Sequence, residues 1–271
     1  MFTCGITGHS GGIGKAFLKL RPKLKIRYYK HDIRDKKKLN HWLTKNNLDY
    51  IIHLAAIVPI KVVNSDKKKA YQVNTLGTKY LIDLILKNPN KIRWIFFSST
   101  SHVYSSTNKK IKESFQEKPT SFYGKTKLLA EKEIKRLEGK KIKYCIGRIF
   151  STTNINQRKN YLVPDLKKKI QKTRKTLILK NLNHFRDFIS IDDVAKIIHF
   201  FLKNEIKGTI NIASGKKTKL SEIASIISRK YKKKIILNKN NETTFLVANN
   251  SKLKKIYKQK LNTNIKKMIF N

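Results

Sequence analysis

Eight residues near the start of the chain, Thr7-Gly8-His9-Ser10-Gly11-Gly12-Ile13-Gly14, restrict its fold more than any other stretch. They follow an apolar run, Phe2–Ile6, that reads as a buried strand, and they open an amphipathic segment, Gly12–Leu20, that reads as a helix. A strand that turns through glycine straight into a helix is the first unit of an open, mostly parallel α/β sheet. Glycines at 8, 11 and 14 suit a tight turn, close approach of backbone to a pyrophosphate, and close packing of helix on strand. The helix N-terminus would offer that anion free N–H groups and the positive end of its dipole. The spacing is GxxGxxG, not the GxGxxG of ordinary dinucleotide folds.

The same rhythm continues. Lys25–Tyr29, Tyr50–Leu54, Ile92–Phe97 and Ile142–Ile146 read as short strands. Asp35–Asn46, Ser65–Lys87 and Phe122–Leu137 read as the helices between them. This predicts an α/β, Rossmann-type doubly wound parallel sheet over residues 1–150. Beyond it the pattern breaks into short strands, loops and two helices, near Asp192–Leu202 and Leu220–Tyr231. The expectation is a smaller C-terminal substrate-binding lobe over residues 151–271, interleaved with the first part and not independent of it. A length of 271 residues suits one large domain or one domain with such a lobe. No apolar stretch approaches the roughly 20 residues of a membrane span, and no leader precedes the first strand, so the expected setting is cytoplasmic. Cys4 and Cys145 lie in separate apolar segments and read as reduced core thiols.

Composition enters at one point. Lys and Arg number 62 against 17 Asp and Glu, a formal net charge of +45. That is the electrostatic footprint expected of a nucleic-acid binder. Arg, however, supplies only 10 of the 62, and the lysines are spread in short runs such as Lys36–Lys38, Lys67–Lys69, Lys167–Lys169 and Lys232–Lys234. With 23 Asn and abundant Ile, this is what an AT-rich genome writes onto solvated surfaces, so nucleic acid is not an expected partner. The field still favours phosphate-bearing ligands.

Tyr123-Gly124-Lys125-Thr126-Lys127 places Tyr123 and Lys127 four residues apart on one face of a predicted helix. A phenol with a pKa of about 10 is a poor base near neutrality. An ammonium beside it stabilises the phenolate. The strand before this helix ends in Ser98-Ser99-Thr100-Ser101-His102, which puts hydroxyls at the carboxyl edge of the sheet, where such folds bind ligands. One of them can bind the oxygen that Tyr123 protonates or deprotonates. After the second strand, Arg27-Tyr28-Tyr29-Lys30-His31 offers no acid for ribose hydroxyls before Asp32. Arg27 or Lys30 would neutralise a 2′-phosphate, which favours NADP and leaves NAD open. No His, Cys and Asp cluster has metal-ligand spacing, so no metal is expected.

Together these motifs resemble the extended short-chain dehydrogenase/reductases of the NAD-dependent epimerase/dehydratase family, which act mainly on nucleotide sugars. The resemblance runs through the TGxxGxxG loop, Asp32-Ile33-Arg34-Asp35, His53-Leu54-Ala55-Ala56, Asn74-Thr75-Leu76-Gly77-Thr78, Ser98-Ser99-Thr100 with Val103-Tyr104, and YxxxK. It continues with Arg186-Asp187-Phe188-Ile189-Ser190-Ile191-Asp192-Asp193-Val194 and Gly208-Thr209-Ile210-Asn211-Ile212-Ala213-Ser214-Gly215. It implies Thr100 as the hydroxyl partner, Tyr123 as acid/base, and Lys127 as the residue that binds the nicotinamide ribose and lowers the tyrosine pKa. Gly8, Ser10, Gly11, Gly12, Ile13 and Gly14 would hold the dinucleotide phosphates, Asp32 and Ile33 the adenine end, and Leu54, Ala55 and Ala56 its length, with Asn74 and Ser98 beside them. Val163 would meet the nucleotide base of the substrate and Arg186 its diphosphate.

Departures from the family pattern shape the expected chemistry. Ser101 and His102 stand where sugar 4,6-dehydratases of this family carry Asp-Glu, so dehydration is not expected. In epimerase–reductases similar to GDP-fucose synthase the position of His102 bears a Cys used as an acid/base. Two residues past Thr100 on an extended segment, His102 would point the same way as Thr100. Imidazole titrates near neutrality, so His102 is a candidate acid/base beside a 4-keto group, or else a structural or substrate-contacting histidine. Ser151 replaces the Asn of the family's R-x-F-N. The implied reaction is hydride transfer at C4 of a nucleotide-diphosphate sugar, by a 4-keto-sugar reductase or by a 4-epimerase with tightly bound NAD. A non-enzymatic dinucleotide sensor or basic RNA-associated protein is the reading from another class. The resemblance also implies a homodimer.

Overall fold

The computed structural model describes residues 1–88, 92–158, 160–238 and 243–270. The first half runs β1 (Thr3–Thr7), α1 (Gly12–Lys19), β2 (Lys25–Tyr29), α2 (Lys36–Asn46), β3 (Tyr50–His53), α3 (Ile60–Ser65), α4 (Lys67–Tyr71), α5 (Gly77–Lys87), β4 (Trp94–Thr100), α6 (Phe122–Lys135) and β5 (Lys143–Ile149). The second half continues β6 (Ser151–Thr153), α7 (Leu162–Lys172), β7 (Leu177–Leu179), β8 (Phe185–Ser190), α8 (Ile191–Lys203), β9 (Gly208–Ile212), β10 (Lys217–Lys219), α9 (Leu220–Tyr231), β11 (Ile235–Leu237), β12 (Phe245–Leu246), α10 (Ser251–Ile256) and α11 (Ile265–Phe270).

Six strands form the main sheet in the order β2-β1-β3-β4-β5-β9. The pairings β1–β2, β1–β3, β3–β4 and β4–β5 are all parallel, as a Rossmann fold requires. Strands buried on both faces explain the near-continuous apolar runs, and all four residues of β3 are buried. The helices cover one face with a core that includes Leu39, Trp42, Leu81, Ile85, Ala130 and Ile134 against Ile51, Ile95, Phe97 and Ile146. The chain leaves β1 for β2 on one side and returns to β3 on the other, so the sheet's topological switch point lies at the carboxyl ends of β1 and β3. Register sets a second feature. His53, the last residue of β3, pairs with Phe97, so Ser98, Ser99 and Thr100 run past it and pair only with β5. Strand β4 is therefore longer than the apolar run of the sequence, and its hydroxyls lie on the strand itself.

The segment Ser65–Lys87 is not one helix. Asp66 breaks it at φ −146°, and its side chain caps α4 by accepting from Lys69 N at 2.8 Å. A π-helical turn, Gln72–Leu76, then separates α4 from α5. The apolar spacing survives both breaks, which is why the sequence reads as continuous. The second half holds more than the two helices that periodicity picks out. Helix α7 has Pro164 in its first turn, where a missing N–H is tolerated, and α10 and α11 are too short to show a period.

The chain divides into two compact units: residues 1–105, 116–149 and 194–210, and residues 106–115, 150–193 and 211–271. Each unit draws segments from both sides of residue 150. Residues 194–210 join the first unit because α8 buries Val194, Ile197, Ile198 and Phe201 completely, and Ile206 O accepts from Trp94 Nε1 at 2.7 Å. Residues 106–115 join the second because Ile111 exchanges backbone hydrogen bonds with Val247 and Asn249, each at 2.9 Å. The second unit carries a four-stranded sheet, with β8 at its centre between β10 and β12 and with β6 also paired to β8. Its core gathers Leu166, Ile170, Phe188, Ile223, Ile227 and Met268. Both cysteines are buried and neither forms a disulfide. Among the described residues no helix is long and apolar enough to cross a membrane.

Candidate active site

At the switch point, the loop after β1 turns at Gly8, whose φ of +69° is left-handed and whose added Cβ would lie 2.6 Å from Ala55 N. Leu54 and Ala55, which follow β3 and precede Ala56, thus press directly on the loop. Gly11 N donates to Gly8 O at 3.0 Å, Gly11 is the N-cap of α1, and Gly12, Ile13 and Gly14 form the first turn. Ser10 and Gly12 are exposed, while Gly14 is buried against His9. Gly8→Ala combines a disfavoured φ with a backbone clash, so a loss of about 1–3 kcal/mol in urea-melt stability is expected.

After β2, Ile33 is buried against Gly77, and Asp32 is exposed. Arg34 grips the Asp32 carboxylate through Nη2 at 2.7 Å and Nε at 3.0 Å and holds its pKa below the usual carboxylate value.

Helix α6 starts at a serine cap: Ser121 Oγ accepts from Gly124 N at 3.1 Å. Tyr123, Lys127 and Glu131 follow at four-residue intervals and all three are buried. The ammonium of Lys127 lies 4.1 Å from the centre of the Phe97 ring. Burial draws the Lys127 pKa down to about 7, against an opposite pull from Glu131. At the end of β4, Thr100 Oγ1 accepts from His102 N at 3.3 Å, which leaves the Thr100 hydroxyl hydrogen to be donated elsewhere. Ser98 is half-buried on the same strand.

The segment after Thr100 is not extended. Ser101–Val103 form a 3₁₀ turn, so the two-residue alternation expected to aim His102 does not apply. The turn still brings His102 to the site, with its ring 5.8 Å from that of Tyr123 in an edge-on arrangement. Gly124 makes this approach possible, since a Cβ there would overlap the His102 carbonyl oxygen.

A relay of buried polar groups joins the loop to α6. Thr7 Oγ1 bonds His53 Nδ1 at 2.6 Å and accepts from Ala55 N at 3.2 Å. His53 Nε2 bonds Thr78 Oγ1 at 3.0 Å, and Thr78 Oγ1 donates to Asn74 O at 2.9 Å. The Thr78 proton is thereby committed, so His53 must donate from Nε2 and accept at Nδ1. That tautomer is neutral, consistent with burial, followed by Lys127, pushing the His53 pKa down to about 3. Asn74 is fully buried in the π turn. Its side chain bonds Ile57 N and O at 2.7 and 2.9 Å and donates to Thr126 Oγ1 at 3.2 Å. Thr126 in turn donates to Tyr123 O at 2.8 Å.

The family model described as GDP-mannose 4,6 dehydratase matches residues 13–269. The chain belongs to the NAD-dependent epimerase/dehydratase family of extended short-chain dehydrogenases/reductases. A family relative, the GDP-6-deoxy-D-talose 4-dehydrogenase of Aggregatibacter actinomycetemcomitans, is 31% identical over 78% of this chain and 74% of its own. Two family folds superpose closely. The UDP-glucose 4-epimerase of Thermus thermophilus in complex with NAD gives a TM-score of 0.86 at 18% identity, covering 99% of this chain and 96% of that one. RMD from Pseudomonas aeruginosa complexed with NADPH gives 0.87 at 19% identity, with the same coverage.

The other family positions lie in the second unit. Arg186 Nη1 donates to Phe185 O at 2.8 Å and Thr244 O at 3.3 Å, and burial lowers its pKa. Val163 is 4% exposed within the core of that unit, so its side chain is already committed. Among the described residues no group of His, Cys, Asp and Glu is placed to hold a metal. The sequence gives Glu131 no expected role, Ser99 only that of one hydroxyl among several, and Arg148 only a place in the R-x-F-N pattern. Glu131 accepts from Ser99 Oγ and from Arg148 Nη2 at 2.7 Å and Nε at 3.1 Å. Arg148 also reaches Tyr104 Oη at 2.7 Å, and Glu117. The one signal was an acid four residues beyond Lys127 on the same helix face.

Proposed function

We propose that the protein is a nicotinamide-dependent oxidoreductase that transfers hydride at C4 of a nucleotide-diphosphate sugar, as a 4-keto-sugar reductase. The reading is carried by Tyr123 and Lys127 on the buried face of α6, with the Thr100 hydroxyl on the projecting end of β4. The name of the 31% identical relative, a 4-dehydrogenase of a nucleotide sugar, supports chemistry at that carbon.

The loop suits a dinucleotide. Gly11 caps α1 without a side-chain hydrogen bond, so the first N–H groups are left for an anion, and only Gly8 O, at 3.2 Å, stands near the site of a Gly11 Cβ. Residues 8–14 would hold the phosphates, Asp32 and Ile33 the adenine end, Leu54, Ala55 and Ala56 its length with Asn74 and Ser98 beside them, and Lys127 the nicotinamide ribose. Bound there, the dinucleotide supplies or accepts the hydride. Lys127 as a cation stabilises the phenolate of Tyr123. Tyr123 Oη gives its proton to the substrate carbonyl oxygen in reduction and takes it back in oxidation, while Thr100 donates a hydrogen bond to the same oxygen. His102 stands beside Tyr123 as an acid/base for the neighbouring carbon. Ser101 and His102 supply no carboxylate for expelling water, which supports reduction over dehydration.

NADP is the favoured form. Arg27 Nε and His9 Nδ1 are buried without a hydrogen-bond partner among the described residues, and the His9 ring lies 4.9 Å from Tyr28 of β2. Asp32, the first acid after that strand, is taken up by Arg34.

Titration with NAD(H) and NADP(H), followed by 4-keto nucleotide sugars with each, tests the reading. Tighter NADPH binding and NADPH consumption by a 4-keto sugar are expected. Protein that retains NAD⁺ through purification and consumes no NAD(P)H with any 4-keto sugar would point instead to a 4-epimerase. Failure to bind either dinucleotide would overturn both.

A further inference from the structure

We propose that Glu131 is a positioning residue that supports the ammonium of Lys127, and that Arg148 and Ser99 fix the Glu131 carboxyl inside the core. The inference rests on the reading of Tyr123 and Lys127 as the acid/base pair. Residues four apart on a helix are neighbours on its surface, so Glu131 lies one turn beyond Lys127 as Lys127 lies one turn beyond Tyr123. Glu131 is 0% exposed, and burying a carboxyl is costly unless it is paired and hydrogen-bonded. It has partners on both oxygens: Ser99 Oγ and Arg148 Nε on Oε1, and Arg148 Nη2 on Oε2. Arg148 is 1% exposed and cannot itself lose its charge.

The contacts also distribute the charges. Glu117, the second carboxylate on Arg148, is shared with Lys135 at 3.5 Å on the side open to solvent. Glu131 has no such outlet, and Lys127 is the buried cation next to it on α6. Burial works against the Lys127 charge, and Glu131 is the group that works for it. The other elements packed against α6 bring no competing anion. His53 of β3 is neutral, Cys145 of β5 is a buried thiol, and Asp83 of α5 is bound by Lys79 and Arg136. His102 lies beside Tyr123, and Lys61 of α3 and Lys67–Lys69 of α4 are exposed. Because Ser99 neighbours Thr100 and pairs in register with Arg148, the same network fixes the hydroxyl-bearing strand end against the helix of the acid/base pair.

Tyr123 can be titrated without cofactor or substrate, as the phenolate absorbance of each protein minus that of its Tyr123→Phe counterpart. Glu131→Gln should raise the Tyr123 midpoint by about one pH unit or more, and Lys127→Met at least as far. Adding Glu131→Gln to Lys127→Met should move it no further, because the carboxylate acts through the lysine. Glu131→Asp should restore most of the native midpoint. If Glu131→Gln does not fold, Glu131→Gln with Arg148→Met removes both buried charges and should shift the midpoint in the same direction. A folded protein lacking Glu131 with a native midpoint overturns the proposal, as does an equal shift when Lys127 is already absent. No sugar or dinucleotide is added, so failure of turnover with every nucleotide sugar would count against the proposed function alone.

Discussion

Tyr123→Phe should cut NADPH-dependent turnover by about 10²–10⁴-fold, the usual contribution of a positioned acid/base, while dinucleotide binding persists. The substitution removes only the hydroxyl. Tyr123 is 6% exposed and packs with Val63 and Ala70, contacts that a phenylalanine ring can keep. The backbone carbonyl that receives the Thr126 hydrogen bond is untouched. Fluorescence titration with NADPH should therefore give a near-native Kd beside the collapsed rate. A dinucleotide sensor would behave differently, since nothing it does requires the phenol. Native function in the Phe variant would exclude the enzymatic reading.

Arg148→Met should lower stability by about 3–5 kcal/mol, the usual effect of removing one partner from a buried ion pair. The penalty comes from Glu131, which would be left fully buried with Ser99 as its remaining partner. Adding Glu131→Gln should recover most of the loss, since a neutral amide beside an apolar side chain carries no stranded charge. Urea melts of the two proteins check this. A single variant as stable as the native chain would mean that the buried pair of Arg148 and Glu131 contributes nothing to stability.

The central sheet was legible because its strands are buried on both faces and so appear as unbroken apolar runs. The glycine loop was legible because Gly8 and Gly14 stand where a Cβ would strike backbone. Tyr123 and Lys127 were legible through helical spacing read together with the hydroxyls ending β4 and the glycine loop before them, and the same spacing also fits Glu131. Glu131 was overlooked because its significance depends on Ser99 and Arg148, which sequence separates and sheet register unites. Arg148 stands out in the sequence only as an arginine inside the apolar run Ile146-Gly147-Arg148-Ile149-Phe150, which does not say what it pairs with. His102 reached the expected neighbourhood by an unexpected path, a tight turn in place of an extended segment. The π turn was invisible because Asn74 and Thr75 interrupt no apolar spacing. They are informative only through partners, Ile57 and Thr126, distant in sequence.

On a ribosome the main sheet cannot close in the order in which it is made. Strand β5 is finished at Ile149, but its outer neighbour β9 begins only at Gly208. While residues 151–193 emerge, β5 presents a bare row of N–H and C=O groups, the kind of edge on which a second nascent chain can add a strand. Those same residues build the other unit. The glycine loop, Thr100, Tyr123 and Lys127 are thus all made while one edge of their sheet is still bare, and that edge is sealed only by a strand made late in synthesis.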